Sequence, residues 1–278
     1  MKTPGYRVKI GIIGCGAIGS RMAEAIQKDF KHDCQLVGLY DIDRAKVERL
    51  LKRLSIKIRA DQSLDAVIKK SDFMIEAVNS DQVKNIVRKT LKAKKSILAM
   101  SVGRMLHAKA LFDLARKNKC YILLPSGAIA GIDAVKAASL KNIKSITLTT
   151  RKPPSGLMNN EHLIRRGIDM NKIKKETVLF SGAVEKAVKY FPQNINVAAT
   201  IALALQAKRR KSRFKVRLIT SPKFKRNIHE IEMEGDFGHM LSRTENVPCP
   251  DNPKTSYLAV LSGLQSLKQY CTGILVGT

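Results

Sequence analysis

No apolar run in this 278-residue chain approaches the roughly 18–20 residues that a membrane-spanning helix requires, so none is expected. The first residues, MKTPGYRVK, pass straight into an apolar stretch with no leader-like region before it, and the expected location is the cytoplasm. The cysteines, Cys15, Cys34, Cys120, Cys249 and Cys271, are scattered and odd in number. None forms a C-x-x-C pair, so neither a metal site nor a disulfide frame is expected, and the set fits a reducing compartment. Repeats and low-complexity segments are also lacking.

Acidic residues are scarce: 23 Asp and Glu stand against 51 Lys and Arg, for a formal net charge of +28. From Lys186 through His229 there is no acidic residue, and Lys208, Arg209, Arg210 and Lys211 run together. Such a charge suits nucleic acid or anionic small molecules. The cations are nevertheless spread over nearly every helical stretch, as in a proteome adapted to its solvent. No nucleic-acid-binding module is recognisable, and nucleic acid is not expected as a partner.

What is present begins at Val8. Val8 to Ala25 reads as a short apolar strand (Ile10 to Ile13), a glycine turn and a helix. The turn, Gly14-Cys15-Gly16-Ala17-Ile18-Gly19, has G-x-G-x-x-G spacing. In a dinucleotide site the first glycine permits the tight turn, the second lets backbone approach a pyrophosphate, and the third lets helix pack on strand. The helix start, at Ala17 and Ile18, offers N–H groups and a positive dipole end to phosphate. Glycine turns also occur for packing alone. A second observation supports the nucleotide reading: the strand Gln35 to Tyr40 ends in Asp41, about 20 residues beyond the last glycine, where a carboxylate holds a ribose 2′-OH. Asp41 repels a 2′-phosphate, so NAD is expected over NADP, with Arg44 nearby to soften that choice. The plainer role for Asp41 is a helix cap, for which Asp43 is better placed.

The alternation continues through Ile56 to Arg59 (strand), Leu64 to Lys69 (helix), Asp72 to Val78 (strand) and Asp81 to Lys92 (helix). Ser96 to Ser101 (strand), His107 to Asn118 (helix) and Tyr121 to Leu124 (strand) follow. The pattern predicts an α/β, Rossmann-type doubly wound parallel sheet. Its carboxyl edge would gather Gly14–Gly19, Asp41, Ala77–Ser80, Ser101–Gly103 and Pro125–Gly127.

From about Gly127 to Pro250 the pattern changes to a second, mixed-sheet α/β domain. Pro125 to Gly131 is a strand-to-helix turn with backbone N–H groups and nothing bulkier than alanine at Ala128, leading into a helix that reaches about Ser139. Ile143 to Thr150 alternates as an antiparallel-type strand, followed by strand Lys175 to Phe180 and helix Ala183 to Tyr190. Asn194 to Lys208 is apolar on nearly every face and reads as a buried helix, with Asn194 as its cap and Asn196 in its first turn. Phe214 to Ile219, Asn227 to Glu234 and Met240 to Arg243 read as strands. In the tail, Asn252 and Pro253 read as N-cap and first residue of a helix running to Tyr270, its face formed by Leu258, Leu261, Leu264 and Leu267. That helix is expected to pack on the nucleotide domain. The domains expected are therefore residues 1–126 with 251–278, and residues 127–250.

Among the histidines His229 is the informative one. In RNIHEIEME, Asn227, His229, Ile231 and Met233 share one strand face, while Glu230, Glu232 and Glu234 share the other. The glutamates belong to solvent, so His229 points inward or into a cleft, where an imidazole suits general acid/base work. From position alone a hydrogen-bonded core histidine is the plainer reading. His32, His107, His162 and His239 read as surface residues. Thr150-Arg151-Lys152-Pro153-Pro154 ends a strand with two cations, which suit a substrate carboxylate or a solvated strand end equally.

GCGAIG (Gly14–Gly19), SVG (Ser101–Gly103), LPSGAIAGIDA (Leu124–Ala134), TRKPP (Thr150–Pro154), FPQNINVAAT (Phe191–Thr200), RNIHEIE (Arg226–Glu232) and NPKTS (Asn252–Ser256) occur in this order over nearly the whole chain. Together they resemble the L-aspartate dehydrogenase family, related more distantly to dihydrodipicolinate reductase-like two-domain oxidoreductases. The resemblance implies an NAD(P)-dependent oxidation of L-aspartate at its CH–NH2 carbon. Iminoaspartate would form, then give oxaloacetate and ammonia or pass on toward quinolinate and NAD synthesis. Gly14, Gly16, Ala17, Ile18, Gly19 and Asp41 are, from the spacing above, the candidate cofactor-binding residues. By resemblance Ala128, through its backbone amide, and Asn196 match NAD-contacting positions, and His229 matches the active-site histidine. Arg151, Lys152 and Lys254 are candidate cations for the substrate carboxylates, and the family's enzymes are commonly homodimers. Two other readings stay open at this point: an imine reductase of another dicarboxylate, and a basic NAD-sensing protein that binds nucleic acid. The basic stretch at Lys208–Arg226 has no part in the family pattern.

Overall fold

The apolar run before the glycine turn forms β1 (Val8–Ile13), in which every residue but Lys9 is buried. A strand buried on both faces belongs in a parallel sheet with helices on either side. The computed structural model describes residues 6–54, 56, 58–191, 196–205, 214–250 and 252–277, in 252–254 the backbone alone. It divides into two units, Met1–Pro125 with Val260–Val276 and Ser126–Ala259 with Gly277–Thr278.

In the first unit β1 is followed by α1 (Ala17–Lys28), β2 (Cys34–Tyr40), α2 (Arg44–Leu54), α3 (Leu64–Lys70) and β3 (Phe73–Glu76). Then come α4 (Val83–Lys92), β4 (Ser96–Ala99), α5 (Val102–Met105), α6 (Lys109–Lys117) and β5 (Ile122–Leu123). The strands pair in parallel in the order β2-β1-β3-β4-β5. This is the doubly wound sheet that the alternation predicts, and its order reverses at β1, the point where open sheets take ligands. Met22 and Ile26 of α1 pack with Ile10, Ile12, Leu39 and Val47 into one core.

The alternation at Ile56 to Arg59 predicts a further strand, and the described residues there form none. Asp61 closes the edge of β2 instead. Its N–H donates to the Leu39 carbonyl at 3.0 Å, and its Oδ2 accepts from the Leu39 N–H at 3.1 Å. With both backbone groups of Leu39 satisfied, no ladder is required, and Ile56 and Ile58 pack on the core from coil.

The second unit contains α7 (Ile132–Ala138), β6 (Ile143–Lys152), α8 (Glu161–Arg165), β7 (Thr177–Ala183), α9 (Val184–Tyr190) and α10 (Asn196–Ala204). It continues with β8 (Phe214–Thr220), β9 (Asn227–Gly235), β10 (Gly238–Asn246), β11 (Pro248–Cys249) and β12 (Asn252–Ser256), before α11 (Tyr257–Thr272). The sheet order β10-β9-β6-β8-β7 makes β6 central. It runs antiparallel to β9 but parallel to β8, so the antiparallel reading is half correct. Alternation reports one buried face and says nothing about a neighbour's direction. Ile146, Leu148, Val216, Ile231 and Met233 form that face and pack on Val135, Ala198 and Ile201. Asn194 and the continuation of α10 toward Lys208 lie outside the described residues.

The tail corrects two expectations. Asn252 and Pro253 do not cap a helix: they open β12, antiparallel to β11, and α11 starts only at Tyr257. Pairing with β11 and the Tyr257 N–H bond to the Val247 carbonyl (3.0 Å) use backbone groups that a cap would leave to solvent. The leucine face is not a face either. Residues three apart on a helix fall about 60° short of a full turn, so three such steps carry Leu258 and Leu267 to opposite sides. Leu267 is fully buried with Val260 and Gly263, whereas Leu258 and Leu261 are 37 % and 41 % exposed. Leu267→Ala should therefore destabilise the protein by about 2–5 kcal/mol in urea unfolding, and Leu258→Ala by no more than about 0.5 kcal/mol. Equal losses would show that the packed face has been misplaced.

Candidate active site

In the first unit the glycine turn is shaped by close approach. Gly14 has φ +97°, and a Cβ there would lie 2.5 Å from the Ala77 carbonyl oxygen. A Cβ on Gly19 would lie 1.8 Å from the Gly14 oxygen. Gly16 differs: its Cβ would meet nothing within 4 Å. Two glycines thus serve the fold and one leaves backbone open to a ligand. The first turn of α1 has no acidic residue and no side-chain cap on its N–H groups, as phosphate binding requires. These features fit a dinucleotide pyrophosphate beside Gly16, Ala17 and Ile18.

Asp41 is tied to this turn. Its Oδ2 accepts from the Cys15 N–H at 2.8 Å and its Oδ1 from the Asp43 N–H at 2.9 Å. Asp43, in turn, accepts from the Ala45 N–H at the start of α2, so the capping role falls to Asp43. Asp41 locks the glycine turn to the end of β2, with lone pairs remaining for a ribose hydroxyl. Burial, more than the nearby Asp41, pushes the Cys15 thiol up to about 12, which leaves it inert.

Sequence reasoning missed Glu76. It ends β3 fully buried and holds three donors: the Val78 N–H at 2.7 Å, the Ser101 N–H at 3.2 Å and the Ser101 hydroxyl at 2.9 Å. It thereby joins two segments of the carboxyl edge, one of which touches Gly14. The available signal was a lone carboxylate inside the apolar run DFMIEAV.

In the second unit the centre is His229, buried on β9 with its Nδ1 3.0 Å from Thr150 Oγ1. Thr150 is its cross-strand partner on β6, and Lys152 lies two residues on, on the same face. Burial lowers the Lys152 ammonium to about 8. Burial first, and then the Lys152 charge, lower the imidazole of His229 to about 3, so it is neutral at pH 7. The Ala128 carbonyl accepts from Thr244 Oγ1 at 2.9 Å and from Asn246 Nδ2 at 3.0 Å, both on β10 beside β9. His229, Thr150 and Lys152 are thus brought together, with Ala128 fastened to the next strand.

The other candidates lie elsewhere. Arg151 is on the opposite, glutamate-bearing face and pairs with Glu230 at 3.4 Å, as does Arg243 at 3.3 Å. Asn196 opens α10, exposed, its carbonyl taking the Thr200 hydroxyl at 2.8 Å. Lys254 is on β12, and its side chain lies outside the described residues. His32, His107 and His239 are exposed as expected. His162 is half-buried and stacks on Tyr190 at a centroid distance of 3.9 Å.

Two family descriptions match the chain: "Homoserine dehydrogenase, NAD binding domain" over residues 14–125, and "Aspartate dehydrogenase, C-terminal" over residues 133–270. An L-aspartate dehydrogenase of Methanosarcina mazei is 43% identical over 98% of this chain and 100% of its own. That of Methanosarcina barkeri is 44% identical over the same shares. The chain belongs to the L-aspartate dehydrogenase family. The crystal structure of the aspartate dehydrogenase of Thermotoga maritima matches with a TM-score of 0.73 at 25% identity, covering 98% of this chain and 100% of that one. A hyperthermophilic archaeal homoserine dehydrogenase in complex with NADPH shares the fold, with a TM-score of 0.60 at 13% identity over 98% of this chain and all of that one.

Glu76 yields a measurable consequence. Burial pushes its carboxyl up to about 7, against hydrogen bonds that favour the charged form. The folded chain holds this proton more tightly than the unfolded chain, so the contribution of Glu76 to stability is lost as pH rises through about 7. Glu76→Gln cannot ionise. Between pH 5 and pH 8 its stability should gain on that of the parent by about 2 kcal/mol, read from denaturation at both values. A difference independent of pH would show that Glu76 does not change charge in the fold over this range.

Proposed function

We propose that this protein oxidises L-aspartate with NAD(P)+, giving iminoaspartate and then oxaloacetate and ammonia, a reaction suited to feed NAD synthesis. The observation that carries the proposal is the buried His229–Thr150 pair with Lys152 on the same sheet face. When bound, the nicotinamide supplies the hydride acceptor. The chain's part is to bind, orient and deprotonate the substrate.

Aspartate arrives with two carboxylates and an ammonium. Lys152, still largely protonated at pH 7, holds a carboxylate. Thr150 engages Nδ1 of His229, which leaves Nε2 for the substrate. An imidazole at about 3 is a weak base, but the same burial and cationic neighbour that lower it make it responsive. The substrate's carboxylates offset the Lys152 charge and raise the basicity of Nε2. It then takes a proton from the ammonium, and the freed nitrogen lone pair drives hydride departure from Cα. Return of that proton assists hydrolysis of the imine.

The finer points follow from charge. Asp41 keeps a negative group at the end of β2, and Arg44 pairs with Glu48 at 3.6 Å, which favours NAD over NADP. Among the described residues no helix is long and apolar enough to cross a membrane, in line with work in the cytoplasm. The family's enzymes are commonly homodimers, and the exposed face of the second sheet is the surface we put forward for such a contact. The spread of cations favours small anionic substrates over nucleic acid.

Aspartate-dependent formation of NADH, followed by absorbance alongside NADP, tests the activity itself. His229→Ala should lower kcat/KM for aspartate by about 100- to 10,000-fold. Lys152→Met should raise KM for aspartate about 10-fold or more, and the parent's own KM should rise above pH 8 as Lys152 loses its proton, a rise absent from Lys152→Arg. Near-parental kcat/KM in His229→Ala would remove the histidine from the mechanism.

A further inference from the structure

Asn246 is buried (3 % exposed), and no expectation drawn from the chain singled it out. Besides the Ala128 carbonyl, its Nδ2 reaches the Asn227 carbonyl at 3.4 Å and Thr244 Oγ1 at 3.3 Å. Its Oδ1 is buried and has no hydrogen-bond partner among the described residues. The orientation of the amide is set by this company: exchanging O and N would aim an acceptor at two carbonyl oxygens. Asn246 thus does all its work as a donor and leaves its acceptor unmade. A buried acceptor without a donor destabilises a fold, so stability alone does not account for asparagine here.

The neighbouring donor points to the same place. Thr244 is the cross-strand partner of His229, and Asn246 is that of Asn227. Both project from one face of β10, and both grip one atom, the Ala128 carbonyl oxygen. That oxygen belongs to the turn between Gly127 (φ +72°) and Gly131 (φ +82°), a stretch whose two left-handed glycines do not by themselves define one path. Fixing the carbonyl fixes ψ of Ala128 and the plane of the next peptide, and so the aim of the turn's N–H groups. Thr244 Oγ1 also lies 3.5 Å from the His229 carbonyl.

We infer that Thr244 and Asn246 are positioning residues: they hold the Ala128 turn in the register of the strand that carries His229, so that cofactor contact and base keep one geometry. This rests on the proposed role of Ala128 as a cofactor contact. It extends that reading to two residues that touch neither reactant and act through the turn.

The test uses the full chain and NADH as probe, followed by the nucleotide's own fluorescence, since the chain contains no tryptophan. Thr244→Val, which keeps shape and removes the donor, and Asn246→Ala should each weaken NADH binding and raise KM for NAD+ about 5- to 10-fold, with KM for aspartate within about 2-fold of the parent. Thr244→Ser, which keeps the hydroxyl, should restore binding. The double variant should lose less than the product of the single losses, because the two donors share one acceptor. Parental NADH binding in folded Thr244→Val and Asn246→Ala, or variants altered only in thermal stability, would overturn the inference. A parent protein that binds no NADH would instead overturn the cofactor reading beneath it.

Discussion

At the junction of β1, α1 and β3 there is room for hydrogen and nothing larger. A methyl on Gly19 would enter the Gly14 carbonyl, and one on Gly14 the Ala77 carbonyl. This crowding presses the start of α1 down onto the sheet and fixes where its open N–H groups point. The hydrogen bond from Cys15 to Asp41 then ties the end of β2 to the same turn, and Glu76 ties the ends of β3 and β4 together. The carboxyl edge is thus a set of segments joined by buried polar bonds. It can present backbone to a dinucleotide because Gly16, alone of the three turn glycines, meets no neighbour.

The second unit is organised by a change of character along one sheet face. On β6 that face runs Ile146, Leu148, Thr150, Lys152: two apolar residues in the core, then two polar ones. On β9 it runs Met233, Ile231, His229 in the matching direction. The apolar half packs beneath helices and anchors the strands. The polar half carries groups that burial perturbs but does not silence, because each has a neighbour on the same face. A neutral histidine and a lysine weakened as an acid-base group yet still charged at pH 7 are what burial produces from these residues, and the proposed mechanism uses the first as base and the second as carboxylate anchor.

Much of this was legible in the chain. Six residues of glycine spacing located the tight turn between β1 and α1, because each glycine's job there is local. The inward aim of His229 followed from period-two alternation with glutamates. Other features were not legible for equally physical reasons. A spacing of three looked like a helical stripe at Leu258 to Leu267, but rotation disperses it. Asn252-Pro253 satisfied the local rules for a cap, and a partner strand overrode them. Arg151 and Lys152 are adjacent in sequence and equivalent in charge, yet the pleat sends them to opposite faces.

The sequence by itself determined the class of fold, the place of the glycine turn and the inward aim of the histidine, since these depend on backbone freedom and periodicity along a single segment. Only the tertiary structure decided what surrounds them: which cation shares the face of His229, which carboxylate joins the strand ends, and which side chains hold the Ala128 carbonyl. Those answers depend on strand register and desolvation. Both arise when residues as distant as Thr150 and His229, or Ala128 and Asn246, are brought side by side.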